Sequence, residues 1–192
     1  MTLVWPFHVD EINSFAYVEN VFSKEECKKI ISISNKSSFI KGGLSEENKL
    51  DNSIRDSNIK WLEVGKDTEW IFRKATDIVF ELNEKFFKFN LFGFIEGFQF
   101  TNYKAPSGKY GKHVDRGFNS RVRKLSISIQ LSDPKNYKGG ELYLYESDKG
   151  TLMSKKQGTL VIFPSFILHE VTPVTKGERN SLVTWITGDN FK

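Results

Sequence analysis

Three histidines occur in this chain of 192 residues, and two of them stand where a metal could use them. His113-Val114-Asp115 sets an imidazole and a carboxylate two residues apart. On an extended strand, residues i and i+2 project from the same side. One short strand can therefore offer two ligands to one ion, and His169 is the obvious donor of a third. Two histidines and one carboxylate occupy a single face of an octahedral ferrous ion and leave the opposite positions open for substrate and O2. The triplet alone is a weak signal, because His8-Val9-Asp10 repeats it. That early copy precedes the first expected helix and sits on no clear strand, so His8 reads as a surface or packing residue.

Two further residues extend the pattern. Arg179 follows His169 by ten positions, and Tyr103 precedes His113 by ten. A guanidinium can clamp a carboxylate with two parallel hydrogen bonds, and a phenol can add a third. A dicarboxylate co-substrate needs this layout: one end chelates iron while the other meets Arg179 and Tyr103. Plainer roles stay open at this stage. Asp115 suits a turn before Gly117, and Arg179 suits the tip of a Lys176-Gly177-Glu178 turn. Glu141 reads as structural rather than catalytic. Arg116, Arg121, Arg123 and Lys124 form a basic run that reads as a solvated face, or one that greets an acidic substrate.

These residues must be held by a scaffold, and the apolar periodicity outlines one. Ser23-Lys24-Glu25-Glu26 is a capping box, and Cys27, Ile30 and Ile31 then recur at helical spacing. Cys27 on that stripe is expected to be a buried structural thiol. Residues 35–58 are polar and read as a long loop of the kind that forms lids. A strand is expected over 58–64. A second helix is expected over 67–87, capped by Asp67 or Thr68, with Trp70, Ile71, Ala75, Ile78, Val79, Leu82 and Phe86 inward. Beyond residue 93 the period becomes two. Phe98 and Phe100 share one face of 94–104, opposite Gln99, Thr101 and Tyr103. Leu125, Ile127, Ile129 and Leu131 oppose Ser126, Ser128 and Gln130. Segments 141–146, 159–163 and 181–187 also read as strands, with turn signals between them. Two helices followed by many short strands suggest helices packed on a β-sandwich or jelly roll.

Composition narrows the function classes. The chain is 39% hydrophobic and 14% aromatic, enough for a sizeable core in one domain. The net charge of +4 comes without a block of one sign, so neither a nucleic-acid arm nor a polybasic membrane patch is indicated. One cysteine excludes an internal disulfide. The first residues lack signal-peptide character, and no stretch is long and apolar enough to span a membrane. A cytoplasmic protein is the expectation.

Taken together, Tyr103, His113-x-Asp115, Gly139-Gly140-Glu141-Leu142, Gly158 to Pro164, His169 and Arg179 resemble the prolyl 4-hydroxylase-like branch of the Fe(II)/2-oxoglutarate-dependent oxygenases. The segment from Val18 to Cys27 resembles the family's entry helix. Ile54-Arg55-Asp56-Ser57 with Trp61-Leu62 resembles its first strand. The resemblance implies a mainly β fold with N-terminal helices, a double-stranded β-helix (jelly roll). It implies one domain over 1–192, with helical support in the first 92 residues and the catalytic core over 93–190. It implies iron on His113, Asp115 and His169, and 2-oxoglutarate on Arg179 with Tyr103 assisting. Trp185 matches a common aromatic of the last strand, either lining the pocket or packing in the core. Fe(II), 2-oxoglutarate and O2 are the implied cofactors, with ascorbate as an optional addition. The implied reaction couples decarboxylation of 2-oxoglutarate to hydroxylation of a substrate C–H, with a prolyl residue of a peptide or protein favoured over a lysyl residue or a small molecule. A non-catalytic jelly-roll binding module needs no such complete set. A cupin-type metal site usually wants three histidines differently arranged.

Overall fold

A computed structural model of the chain describes residues 12–35, 38–44, 50–116 and 122–190. His8, Asp10 and Arg121 lie outside the described residues. The elements, in chain order, are β1 (Ala16–Val18), α1 (Lys24–Ser34), β2 (Ile40–Lys41), β3 (Arg55–Asp56), β4 (Asn58–Leu62), α2 (Glu69–Leu82), β5 (Leu91–Phe94), β6 (Phe98–Lys104), β7 (Lys109–His113), β8 (Arg123–Gln130), β9 (Tyr137–Gly139), β10 (Leu142–Tyr145), β11 (Gly150–Leu152), β12 (Leu160–Pro164), β13 (Leu168–Val171) and β14 (Val174–Gly188). Among the described residues the larger sheet runs β1-β12-β8-β14-β6-β4-β2, with β5 and β9 also paired to β14; the smaller runs β11-β10-β13-β7-β3. Every pairing is antiparallel. Two facing antiparallel sheets of this kind are a jelly roll.

The alternation of β8 explains why helices cover one face and chemistry occupies the other. Leu125, Ile127 and Ile129 join Phe98 and Phe100 in a core with Cys27 and Ile30 of α1 and Ile71, Ala75, Val79 and Leu82 of α2. The opposite face, carrying Ser126, Ser128 and Gln130, turns to the barrel interior. A second apolar cluster there joins Tyr103, Leu144, Val161, Phe163, Val171 and Val174.

The capping box forms as expected: Ser23 Oγ accepts from Glu26 N, and Glu26 accepts from Ser23 N at 2.7 Å. The second helix differs. It starts at Glu69, and Thr68 does not cap it, because its hydroxyl donates back to Glu63 O at 2.6 Å. After Leu82 it continues as one π-helical turn, Asn83–Phe87, closed by left-handed Lys88. The expected long loop at 35–58 is instead partly strand, since β2 and β3 extend the two sheets within it. The expected break at Lys176-Gly177 is absorbed into β14, where a register shift and a left-handed Gly177 let one strand pair with β9 and then β6. No described helix is long and apolar enough to cross a membrane.

Candidate metal centre and co-substrate pocket

Residues 56 positions apart in sequence become neighbours because β7 and β13 are adjacent: His113 and His169 are direct register partners. Their ring centroids are 4.1 Å apart. Asp115 lies just past the end of β7. Its backbone N–H and that of Arg116 both donate to Ser165 O, at 3.0 and 3.1 Å, which turns the chain back toward the histidines. Thus the two-residue spacing works, but the carboxylate is placed by this turn rather than by continued strand. One ligand atom from each of His113, Asp115 and His169 lies within 4.8 Å of the others.

The proton positions follow from the neighbours. His113 Nδ1 is 2.8 Å from Gly111 O, and His169 Nδ1 is 2.9 Å from Ile167 O. A carbonyl only accepts, so each Nδ1 carries the proton and each Nε2 presents a lone pair. Burial, and then the neighbouring His169, lower the His113 pKa to about 4, so this ring is neutral near pH 7. Burial works against the Asp115 carboxylate, but His169, His113, the Trp185 indole and Ser126 outweigh it and hold its pKa below the usual range. The two Nε2 atoms stand 3.6 and 3.5 Å from Asp115 oxygens. Converging lone pairs beside a buried carboxylate are the donor set of a divalent cation.

The surroundings hold these ligands still. Ser126 Oγ donates to Asp115 Oδ2 at 2.7 Å and lies 3.0 Å from Ser165 Oγ. Arg123 donates to Asp115 O at 3.2 Å, pairs with Glu96, and lies 3.7 Å from the centroid of the Trp185 ring. Phe163 meets His169 edge to face. Trp185, beside Asp115, Arg123 and Trp61, walls the metal pocket. Two members of the basic run are therefore not on a solvated face: Arg123 is committed to the site, and Lys124 is buried.

Arg179 is not at a turn tip but inside β14, opposite Tyr103 of β6, and it is 0% exposed. Its guanidinium carbon is 5.4 Å from the Tyr103 ring centroid. Among the described residues its guanidinium makes one hydrogen bond, from Nη1 to Ser181 Oγ, long at 3.4 Å, and Nε and Nη2 have no partner. Burying an uncompensated charge is expensive. A buried guanidinium with idle donors fits an anion. Burial also raises the Tyr103 pKa, so its phenol keeps its proton and can donate. Gly140 makes room: a Cβ there would come 2.9 Å from Arg179 Cδ. Cys27 is structural, with burial raising its thiol pKa to about 11. Glu141 is bound to Lys155 and Thr172. Ser126, Ser165 and Tyr110 were missed as site residues. Only Ser126 left a signal, in the polar face of its alternating strand.

The comparisons agree with this geometry. The model of the 2OG-Fe(II) oxygenase superfamily matches residues 98–187. A PKHD-type hydroxylase of Prochlorococcus marinus (strain MIT 9211) is 34% identical over 174 residues, covering 88% of this chain and 76% of that protein. One of Parvibaculum lavamentivorans is 45% identical over 78 residues, covering 40% of this chain but 36% of that protein. Among solved structures, a prolyl hydroxylase from Trichoplax adhaerens, in complex with a hypoxia inducible factor peptide, superposes with a TM-score of 0.78 at 19% identity, covering 92% of this chain and 84% of that one. A Pseudomonas putida prolyl-4-hydroxylase gives 0.72 at 19% identity, covering 92% and 94%. At such identity these two speak for the fold alone. With the shared fold, the family-model match and the relative aligned over most of its length, the chain belongs to the 2OG-Fe(II) oxygenase superfamily, among its PKHD-type hydroxylases.

Proposed function

We propose that this protein is an Fe(II)- and 2-oxoglutarate-dependent dioxygenase that hydroxylates a prolyl residue of a peptide or protein. The observation that carries the reading is the pairing, inside one barrel, of three converging candidate metal ligands with a buried Arg179 whose Nε and Nη2 have no partner among the described residues. His113, Asp115 and His169 would hold the iron, and Arg179, with Tyr103, would hold the distal carboxylate of 2-oxoglutarate. When bound, iron and 2-oxoglutarate supply the oxidising power, with one oxygen atom of O2 ending in succinate and the other in the product hydroxyl as CO2 leaves.

The chain's own residues supply placement. The two carbonyl-bound imidazoles keep their Nε2 lone pairs inward. Ser126 fixes one Asp115 oxygen and leaves the other to a metal. Phe163, against His169, and Trp185, beside Asp115, would exclude water around the reacting centre. The α1/α2 layer shares its core with the larger sheet, which supports reading 1–192 as one domain with helical support. A single buried cysteine suits a reducing cytoplasm. The prolyl substrate rests on the resemblance and the relatives rather than on a contact.

The test is succinate release with Fe(II), 2-oxoglutarate and ascorbate, with and without proline-containing peptides. Mass spectrometry then locates any added oxygen atom. Peptide-stimulated succinate with oxygen on proline supports the reading. Oxygen on lysine, or on a small molecule alone, rejects the prolyl substrate. Absence of iron-dependent succinate rejects the enzyme.

A further inference from the structure

A cleft of about 560 Å³ runs between the N-terminal half of α2 and the turn that joins β5 to β6. That volume is in the range of ligand-binding clefts. Its floor is aromatic: Phe72 meets Phe94 edge to face, with centroids 5.4 Å apart. Its rim is acidic. Glu63, Glu69, Asp77 and Glu96 line it, against one cation, Arg73. Arg73 binds Glu69 Oε1 at 2.6 Å, but the two side chains are 77% and 51% exposed, and so open a pair offsets little charge. The Glu63 and Asp77 carboxylates make neither a hydrogen bond nor an ion pair among the described residues.

Two of these acidic residues sit side by side. A Cβ on Gly97 would come 3.0 Å from Glu63 Oε1, so the Glu63 carboxylate rests on the backbone next to Glu96. Gathering like charges works against a compact fold, and local rules are broken where function demands it. The chain as a whole carries +4, so the cleft is opposite in sign to the molecule around it. Glu96 also ties the cleft to the metal centre. Arg123 Nη2 donates to Glu96 Oε1, and Arg123 Nη1 donates to Asp115 O at 3.2 Å. One arginine side chain therefore separates the cleft from a candidate metal ligand. Glu96 Oε2 carries no hydrogen bond among the described residues.

Resting on the reading of a peptide or protein substrate, we infer that this cleft docks a basic segment of that substrate, flanking the residue that is hydroxylated. Lysine or arginine side chains of the segment meet Glu63, Asp77 and the second oxygen of Glu96. An apolar side chain between them lies on Phe72 and Phe94. The length suits an extended chain. Glu69 to Asp77 spans about 12 Å of helix at 1.5 Å per residue, the reach of about four extended residues. A bare metal ion is a poorer occupant. Among the described residues only His113, Asp115 and His169 bring three ligand atoms together, so the cleft carboxylates are spread along a path rather than aimed at a point.

The experiment follows the fluorescence anisotropy of labelled proline peptides with an arginine-rich, serine-rich or glutamate-rich flank, added to the Mn(II)- and 2-oxoglutarate-loaded protein without O2. Each exposed charge pair is worth about two- to fivefold in affinity. Wild type should therefore bind the arginine-rich peptide about tenfold tighter than the serine-rich one, and salt near about 0.5 M should erase the difference. Glu63→Gln with Asp77→Asn should lose most of that preference. Glu63→Lys with Asp77→Lys should reverse it in favour of the glutamate-rich peptide. Both residues are exposed and bonded to nothing else, so melting temperature and Mn(II) affinity should stay near wild type. On a proline peptide that stimulates succinate release, an arginine-rich flank should lower KM about tenfold and leave kcat unchanged. Equal binding of the three peptides by wild type, or a preference that both double variants keep, overturns the inference and leaves the proposed function standing. A wild-type dimer that the lysine double variant dissolves would give the cleft to a second copy and overturn it too. If the preference follows the cleft charges but the Fe(II) protein releases no iron-dependent succinate, it is the enzyme reading beneath that fails.

Discussion

Tyr110 lies flat against the metal-facing ring of His113, with centroids 3.5 Å apart and planes 14° from parallel. A regular strand forbids this, since residues three apart face opposite sides. The register explains it. His169 pairs with His113 and Val171 with Tyr110, so β7 spends three residues where β13 spends two. The extra residue is a β-bulge, which re-aims side chains locally. Arg55 covers Tyr110 in turn, at 4.5 Å from its ring centroid. The stack limits the rotation of a metal ligand. Tyr110→Ala should weaken metal binding about tenfold, while Tyr110→Phe, which keeps the ring, should stay near wild type. Mn(II) titration measures both. Equal affinity for all three proteins would remove the positioning role.

Each metal ligand is expected to be indispensable, and its supporting hydroxyl is not. His113→Ala, Asp115→Ala and His169→Ala should abolish iron-dependent succinate release. Ser126→Ala removes the 2.7 Å hydrogen bond to Asp115 and should cost about 10- to 100-fold in metal affinity. Chelation followed by Fe(II) addition should restore wild-type turnover and leave the three alanine variants inactive.

Arg179→Met should separate stability from function. The arginine is fully buried with two unpartnered nitrogens, and exchanging such a charge for an apolar side chain of similar size is often stabilising by about 1–4 kcal/mol. The ligand-free variant should melt higher than wild type, yet bind 2-oxoglutarate at least about a hundredfold more weakly. Lower melting together with intact binding would contradict both halves.

Gly158→Ala should damage the fold without touching the site. Gly158 has φ +81°, and a Cβ there would collide with Phe22 O, across the close approach in which Phe22 N donates to Gly158 O at 3.1 Å. Positive φ and a backbone clash together cost about 3 kcal/mol, or roughly 6–12 °C in Tm at this chain length. Thermal unfolding monitors the loss, and a variant melting within a degree of wild type would refute the contact.

Acid should weaken the hairpin that leads to Arg179. Burial opposes the Glu141 carboxylate, but Thr172 and Lys155 outweigh it and lower its pKa from 4.5. A carboxyl with a depressed folded-state pKa gives stability that is present above its unfolded value and is lost as pH falls through the folded one. Glu141→Gln should cost about 1 kcal/mol near pH 7, and the difference should shrink as pH falls below the ordinary carboxylate range and through the lowered folded-state value. Melting curves across that interval should converge; parallel curves would mean that the carboxylate contributes nothing.

The helices, the alternating strands and the pairing of His113 with Asp115 in the candidate metal cluster were legible in the chain because each rests on local pattern: a capping box, a period, a two-residue spacing. The extent of elements was less legible. The 35–58 segment looks like a loop because β2 and β3 are only two residues each, too short to show alternation, and they exist only by pairing with β4 and β7. The basic run looked solvated because sequence cannot see that Glu96 and Trp185 are waiting for Arg123.

By itself, then, the sequence singled out His113, Asp115, His169, Tyr103 and Arg179 and set the alternating faces of the long strands, since residue type and period two are properties of the chain. Tertiary structure alone decided that residues 113 and 169 stand directly opposite, that a bulge lays Tyr110 on His113, and that Arg179 is sealed from water. Register, bulges and burial arise from pairing between segments far apart in the chain, and no local pattern encodes which partner arrives.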